Sequence, residues 1–546
     1  MRLSALLVLA LCVSNYAAAQ TQEVPANQIA DNSTLEKELR ALQAALAQQQ
    51  EQIRRQQKEI ENLQGQLAAG LTRAGDIEPG SAQVVDAVLH VPVNEVAAGT
   101  VAVPGGPLEQ GSAAPEKESP LSFSIGNVQF TPAGTIDFTS VFRTTDIGSG
   151  VGTTFGSVPF NNTGAGQLSE DRLTAQNSKV ILKLKSKFGE NDIKGYFETD
   201  FLGNDASNVF VTNNAHTYRL RLYWMDLRHG KWEVMGGQTW SWLTPNRVGL
   251  APDTSDLFNG MGVDSNSMAG LTWTRAAELR VAYHPNEQWA FGVAIENPEQ
   301  YTGTGEVVFP AAYNTALGTQ LNAGTITTTP NLHPDVIPKV TYDTEIGEHH
   351  FHAEAVGLVT SVKVVPNPAT GVSSTATGGG GSVNLNLEVV KKVRLIANTF
   401  YSDGGGRYIG GLGPGAVVRP NGDVSLVHAG SGIGGVEVAT LPNDTFGAYY
   451  SAGYFQRNFF ADTTSTAATK PIIGFGGPGS SSSANRAIQE ATFDWIHTFW
   501  KNPKYGALQT LTQYSYLTRS PWFVAANTPK NAHTSMVYAD FRYVVP

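Results

Sequence analysis

Charged residues beyond position 120 alternate with apolar ones at a spacing of two. In Tyr218-Arg219-Leu220-Arg221-Leu222, an extended chain would place both arginines on one face and the apolar side chains on the other. Arginines on one face can attract an anion or hold a carboxylate in a forked geometry. The spacing therefore predicts strands that have one charged face and one apolar face.

Several further segments show the same alternation. If such strands closed into a barrel around water, the apolar faces would meet lipid and the charged faces would line the interior. The predicted lining residues are Lys183, Arg219, Arg221, Arg280, Lys339, Arg394, Glu198 and Asp200. Both signs of charge occur in this set, so the predicted wall is mixed in sign although the chain has a net charge of −10.

Other kinds of chemistry have weak support in the sequence. The glycine runs at 378–381 and 410–413 fall in predicted loops, where they do not form a nucleotide-binding signature. His350 and His352 share a strand face, but no clear third metal ligand accompanies them. The sequence contains no Gly-x-Ser-x-Gly element, and its acidic balance argues against nucleic acid. We predict no enzyme activity, cofactor, metal or nucleic-acid partner.

The connections between the candidate strands alternate in length. Sixteen strands are predicted near 134–143, 174–188, 192–202, 216–228, 231–241, 267–283, 287–297, 334–342, 349–361, 382–390, 393–402, 431–440, 445–457, 484–500, 506–520 and 534–545. Short links such as 229–230 and 391–392 alternate with long ones such as 242–266 and 298–333. Short turns on one side, long loops on the other and an even strand number are typical of outer-membrane barrels.

The N-terminal part carries a different pattern. Residues 1–19 have the features of a secretory signal, which contains Cys12, the only cysteine, and residues 20–34 form a short segment. Residues 35–69 repeat apolar positions in steps of three and four, as a coiled coil does. Residues 70–120 form a Pro/Gly/Ala linker before the barrel of 121–546. The predicted fold is an all-β transmembrane barrel of about 16 antiparallel strands, preceded by a periplasmic α-helical coiled coil.

Six short stretches carry a resemblance to a known family. They are Gly195-Tyr196-Phe197-Glu198-Thr199-Asp200-Phe201, Tyr218-Arg219-Leu220-Arg221, Gly236-Gly237-Gln238-Thr239-Trp240-Ser241, Asp494-Trp495, Asn502-Pro503-Lys504-Tyr505-Gly506 and Phe541-Arg542-Tyr543. By the order and spacing of these stretches, the region from 121 to 546 resembles the DcaP-like trimeric outer-membrane porins. More loosely, it resembles the phosphate-selective porin superfamily. The ending Val544-Val545-Pro546 departs from the terminal Phe or Trp that many barrels have.

The resemblance implies a homotrimer in the outer membrane whose third long loop folds inward and narrows the channel. Here that loop carries Arg247, Asp253, Asp256 and Asp264. Its acids would then face the wall arginines and set a field across the channel; the alternative is that these charges are solvated or paired.

The expected function is passive diffusion of small polar, carboxylate-bearing anions through the outer membrane. An alternative is a structural protein that links this membrane to the cell wall through its coiled coil.

Overall fold

The computed structural model describes residues 119–203, 217–250, 263–299, 301–303, 305–321 and 331–546. The predicted signal segment, the segment 20–34, the coiled coil 35–69 and nearly all of the linker 70–120 lie outside the described residues. Asp253 and Asp256 of the third long loop also lie outside them.

Sixteen strands of the described chain form one barrel. They are β2 (Val128–Arg143), β4 (Lys179–Phe188), β5 (Asn191–Asp200), β6 (Arg219–His229), β7 (Trp232–Trp240), β8 (Arg275–Tyr283), β9 (Trp289–Glu296), β10 (Asp335–Ile346), β11 (His349–Val364), β12 (Ser374–Val390), β13 (Val393–Asp403), β16 (His428–Val438), β17 (Asp444–Phe455), β20 (Asn485–Asn502), β21 (Gly506–Pro521) and β22 (Ala532–Val544). Each predicted segment corresponds to one strand. β8 begins eight residues later than predicted and β12 eight residues earlier, so the glycine run 378–381 lies in β12 and not in a loop.

The remaining described elements are short. They are β1 (Phe123–Ile125), β3 (Glu170–Thr174), β14 (Ala416–Val418), β15 (Val424–Leu426), β18 (Asn458–Ala461), β19 (Ile472–Phe475), the helical turn α1 (Asn314–Leu317) and the 3-10 turns Phe155–Ser157, Ala165–Gln167 and Gly406–Tyr408. No helix in the described ranges is long and apolar enough to span a membrane.

The barrel is closed by pairing between its first and last strands. β22 runs antiparallel to β2, from Thr135 opposite Val544 to Arg143 opposite Met536. On its other side, the first half of β2 pairs with β4 and the second half pairs with β3. β3 and β4 thus form one line of the barrel wall, interrupted at 175–178. Every barrel strand therefore has a neighbour on both sides, which confirms the predicted closed barrel of 16 antiparallel strands.

Short turns and long loops lie at opposite ends of the barrel. The turns occupy 189–190, 230–231, 284–288, 347–348, 391–392, 439–443 and 503–505. The long connections are 144–169, 201–218, 241–274, 297–334, 365–373, 404–427, 456–484 and 522–531, of which 204–216, 251–262, 300, 304 and 322–330 lie outside the described residues. In the two-residue turns 189–190 and 230–231, Gly189 and Gly230 have φ values of 60° and 55°. Glycine adopts this left-handed backbone conformation more readily than other residues.

The two faces of the wall differ in polarity as the alternation predicted. On β9, Phe291, Val293 and Ile295 are 45%, 44% and 46% exposed on the outside, whereas Ala294 and Glu296 are buried inside. An apolar outer band and a polar interior are what lipid around a barrel requires. The outer wall is therefore suited to hydrocarbon surroundings.

A β-bulge in β6 changes one predicted side-chain direction. Glu198 lies opposite Leu222 and Thr199 lies opposite Leu220, so Arg221 is an extra residue in the pairing. The extra residue reverses the alternation beyond it. Our placement of Leu222 on the lipid-facing side is therefore wrong: the side chain is fully buried inside the barrel, in one cluster with Ile181.

A charge on the outer face tests this orientation of the wall. We expect Val293→Arg to lower the free energy of unfolding from lipid vesicles by about 2–4 kcal/mol, because the arginine would enter the hydrocarbon layer. Guanidinium titrations followed by tryptophan fluorescence would measure the change. Glu287→Arg, in the exposed turn that precedes β9, is the matched control. Equal stability of the two variants would contradict the assigned lipid-facing side.

Candidate functional site

The loop 241–274, called the inner loop below, lies inside the barrel in both of its described parts, 241–250 and 263–274. The backbone N–H of Trp242 donates to Glu296 Oε1 on β9 at 2.8 Å, and that of Asn246 donates to Glu354 Oε1 on β11 at 3.0 Å. Farther along, the N–H of Ala269 donates to Glu490 Oε2 on β20 at 2.9 Å. The inner loop therefore contacts widely separated parts of the wall, and carboxylates of the wall accept its backbone N–H groups.

Lys339 holds the first half of the inner loop. Its Nζ forms an ion pair with Glu354 Oε1 at 2.9 Å and donates to Asn246 Oδ1 at 2.9 Å. It also donates to the carbonyl oxygens of Trp242 and Thr244, both at 3.3 Å. Sequence reasoning placed Lys339 on the solute path, whereas the structure surrounds its side chain with loop and wall atoms and leaves it 0% exposed.

The charges of the inner loop meet the wall in two ways. Arg247 donates to both carboxylate oxygens of Glu437 on β16, each at 2.9 Å. Asp264 accepts a hydrogen bond from Tyr538 at 2.8 Å, and Tyr538 in turn accepts one from Arg143 at 3.1 Å. We predicted loop acids opposite wall arginines; Asp264 reaches Arg143 through a tyrosine, and the loop arginine pairs with a wall acid.

A buried histidine joins two of the groups that hold the inner loop. His352 Nδ1 lies 2.7 Å from Asp343 Oδ1, and its Nε2 lies 3.2 Å from Glu354 Oε1. Asp343 Oδ2 also accepts the backbone N–H of Gly249 at 3.1 Å, and His350 lies 3.6 Å from the same aspartate. Because both ring nitrogens face carboxylates, only the protonated imidazole donates a hydrogen bond to each of them.

The predicted wall arginines of β6 form ion pairs with acids of β5. Arg219 donates from Nε and Nη2 to the two oxygens of Asp200, at 2.9 and 2.7 Å. Arg221 Nη1 lies 2.8 Å from Glu198 Oε1, and its Nε lies 3.2 Å from Asp200 Oδ2. The Arg219 side chain is 13% exposed and that of Arg221 is 0% exposed. Both arginines are therefore paired with acids of the neighbouring strand, which is the alternative to charges that face an open channel.

Two cations that sequence reasoning missed join this group. Lys179 Nζ lies 3.7 Å from Glu198 Oε1. Arg275, whose Cζ lies 5.8 Å from the ring centre of Trp240, adds a like charge near Arg219 and Arg221. The group, called the cationic cluster below, consists of Lys179, Arg219, Arg221 and Arg275 with the acids Glu198 and Asp200. By formal charge it has four cations and two acids. Lys179 could have been predicted, because it lies on the same face of β4 as the predicted Lys183. Arg275 is the first residue of β8, directly after the inner loop, so no alternating pattern before it indicated its direction.

The other predicted wall residues also point inward. Lys183 is partly exposed on the inner face of β4. Arg280 Nη2 lies 2.6 Å from Glu278 Oε1, and its Cζ lies 5.2 Å from the ring centre of Trp242 in the inner loop. Arg394 donates to Asn386 Oδ1 at 3.0 Å and is almost fully buried. The structure thus brings most of the predicted charges into a few paired groups.

Comparison with known proteins identifies the fold. No family model matches the chain, and no curated protein matches its sequence. The crystal structure of the outer membrane channel DcaP of Acinetobacter baumannii matches with a TM-score of 0.52 at 16% identity, over 77% of this chain and 98% of that one. The chain therefore has a DcaP-like porin fold, which confirms at the level of fold the resemblance seen in the sequence.

Two further structures match with lower scores. OmpT of Vibrio cholerae has a TM-score of 0.41 at 8% identity, covering 78% of this chain and 99% of its own. OmpF of Salmonella typhi, in complex with daunomycin, has a TM-score of 0.42 at 10% identity, covering 77% of this chain and 100% of its own.

The geometry around His352 predicts a pH dependence of the inner loop. We expect single-channel current to be steady at acidic pH and noisier as the pH rises above the ordinary imidazole pKa of about 6.5. The two carboxylates hold the proton on the ring, and the neutral imidazole faces one of them without a proton. His352→Gln should remove this dependence. His284→Gln, whose partner Glu233 lies near the short-turn end, is the control. The same pH profile in wild type and His352→Gln would contradict the prediction.

Proposed function

We propose that the protein is an outer-membrane porin through which small polar solutes, carboxylate-bearing anions among them, diffuse passively. The observation that carries the proposal is the closed barrel of 16 strands, with apolar side chains outside and ionic ones inside. A barrel of this strand number encloses a space wide enough for water. The inner loop and the wall beside it narrow that space and set its charge.

The preference for anions rests on the cationic cluster. Arg219 is partly exposed beside its partner Asp200, whereas Arg221 is fully buried and acts on a solute through its charge. Glu198 and Asp200 hold the arginines in place and balance only part of their charge. Because two positive charges remain in excess, the local potential favours an anion over a cation of the same size.

The arrangement in the membrane belongs to the same proposal. Short turns face the periplasm in barrels of this kind, and the start of β2 and the end of β22 lie at the short-turn end. The predicted coiled coil would then extend into the periplasm. The heptad repeat of 35–69 supports an oligomer, and the porin resemblance supports a homotrimer in particular. A tether to the cell wall through that repeat is the second candidate function, and it is compatible with a channel.

Reversal potentials in planar bilayers test the channel proposal. In a KCl gradient we expect the wild-type protein to conduct with a preference for chloride. Arg219→Ala/Arg221→Ala should shift the reversal potential toward cations, because Glu198 and Asp200 then lack two of their partners. Each charge changes the energy of a nearby ion by about 1 kcal/mol in a water-filled site, so the permeability ratio should fall several-fold.

Two controls make the result specific. Arg228→Ala, at the exposed short-turn end of β6, should leave the reversal potential unchanged. Heat-dependent migration on gels would confirm that each variant forms a folded barrel. A wild-type protein that does not conduct would contradict the porin proposal, whereas an unshifted reversal potential in a folded double variant would contradict only the role of the arginines.

A further inference from the structure

Trp522 is fixed at the long-loop end of the barrel, directly after β21. Its backbone N–H donates to the carbonyl oxygen of Ala484 at 3.0 Å, and its indole Nε1 donates to the carbonyl oxygen of Phe455 at 2.9 Å. These bonds join the ends of β17, β20 and β21 at the rim. The ring is therefore a rigid platform and is only partly exposed.

Two exposed arginines lie against this ring. The Cζ atom of Arg457 is 5.3 Å from the Trp522 ring centre, and that of Arg486 is 5.8 Å from it. Neither guanidinium forms an ion pair within the part of the chain that the structure describes. A cation–π contact orients an arginine but leaves its charge and its N–H donors available. Two oriented positive charges therefore face outward at one place on the rim.

An aromatic outer surface adjoins these arginines. Tyr454, on the outer face of β17, is 47% exposed, and its ring centre lies 6.0 Å from that of Trp522. Toward the short-turn end follow Tyr450 on β17, Phe493 on β20 and Tyr516 on β21, which are 56%, 57% and 41% exposed. Ala491 on β20 pairs with Tyr450 on one side and with Tyr516 on the other. The two tyrosines therefore lie in one row across three strands and belong to one continuous patch.

We propose that this surface binds a lipid of the outer leaflet whose headgroup carries phosphate. Arg457 and Arg486 would take the phosphate oxygens, because guanidinium forks match phosphate geometry and the bonds are charge-assisted. The acyl chains would lie along the aromatic patch. The arginines lie where the long loops leave the barrel. If the short turns face the periplasm, as the proposed function has it, this position is level with the lipid headgroups of the outer leaflet.

The apolar patch favours a lipid over a free anion as the occupant. A soluble phosphate would gain only the two guanidinium contacts, in an exposed position where water and salt compete. A lipid adds apolar contact along the wall to the same charge contacts. Charge complementarity and a continuous apolar surface thus point to one ligand with both features.

Native mass spectrometry of the full-length protein in detergent tests the proposal. The probe is diphosphoryl lipid A, with inorganic phosphate and diacylglycerol as the headgroup-like and chain-like comparisons. We expect lipid A to be retained by the wild-type protein and its retention to fall about tenfold or more in Arg457→Gln/Arg486→Gln, since several charge-assisted hydrogen bonds are lost. Arg457→Lys/Arg486→Lys should bind at an intermediate level, because charge remains while the fork is lost.

A matched control uses Arg228→Gln/Lys504→Gln, which removes two exposed cations near the short-turn end and should retain lipid A as the wild type does. Equal retention in the Arg457/Arg486 variant, equal loss in the control, or binding of inorganic phosphate as strongly as lipid A would overturn the proposal. Conductance of the same samples separates this outcome from a failure of the porin proposal, because the rim arginines lie outside the barrel interior.

Discussion

Pairing of β2 with β22 is the contact on which the rest of the structure depends. Hydrocarbon offers no hydrogen-bond partners, so an open sheet edge in a membrane would leave a row of backbone groups unsatisfied. Closure removes both edges at once. Gly134 lies at this junction with φ of 148°, and a Cβ at its position would overlap the carbonyl oxygen of Lys179. A glycine is therefore needed where β2 meets β4 so closely.

Closure also determines where charge can go. The outer face must be apolar, so ionic side chains are confined to the interior, where removal from water is costly unless each charge is paired. Arg542 pairs with Asp137 and Asp540, and Lys339 pairs with Glu354. These ion pairs neutralise the charges of the inner wall, and they also join neighbouring strands to each other and to the inner loop. The cationic cluster is built in the same way: Arg219 and Arg221, which carry the proposed anion preference, pair with acids of β5.

Much of the barrel could be predicted from the sequence because its signals are local. A spacing of two along each strand and the alternation of short and long connections need no knowledge of distant contacts. The direction of Leu222 could not be predicted this way, since the bulge at Arg221 arises from pairing with β5. The pair between Arg247 and Glu437 joins residues 190 positions apart, so no local pattern contains it. The position of the inner loop came from the family resemblance.

Cross-linking tests most directly the central claim that the inner loop is held against the inner wall. Asn384 Nδ2 donates to the carbonyl oxygen of Asn246 at 2.9 Å, and Cys12 of the predicted signal segment is the only native cysteine. In the folded protein, Asn246→Cys/Asn384→Cys should be joined by a short bis-methanethiosulfonate reagent. Asn246→Cys/Ser515→Cys, with its second cysteine on β21, should not be joined. Absence of the first cross-link, or equal yields for both pairs, would contradict the account.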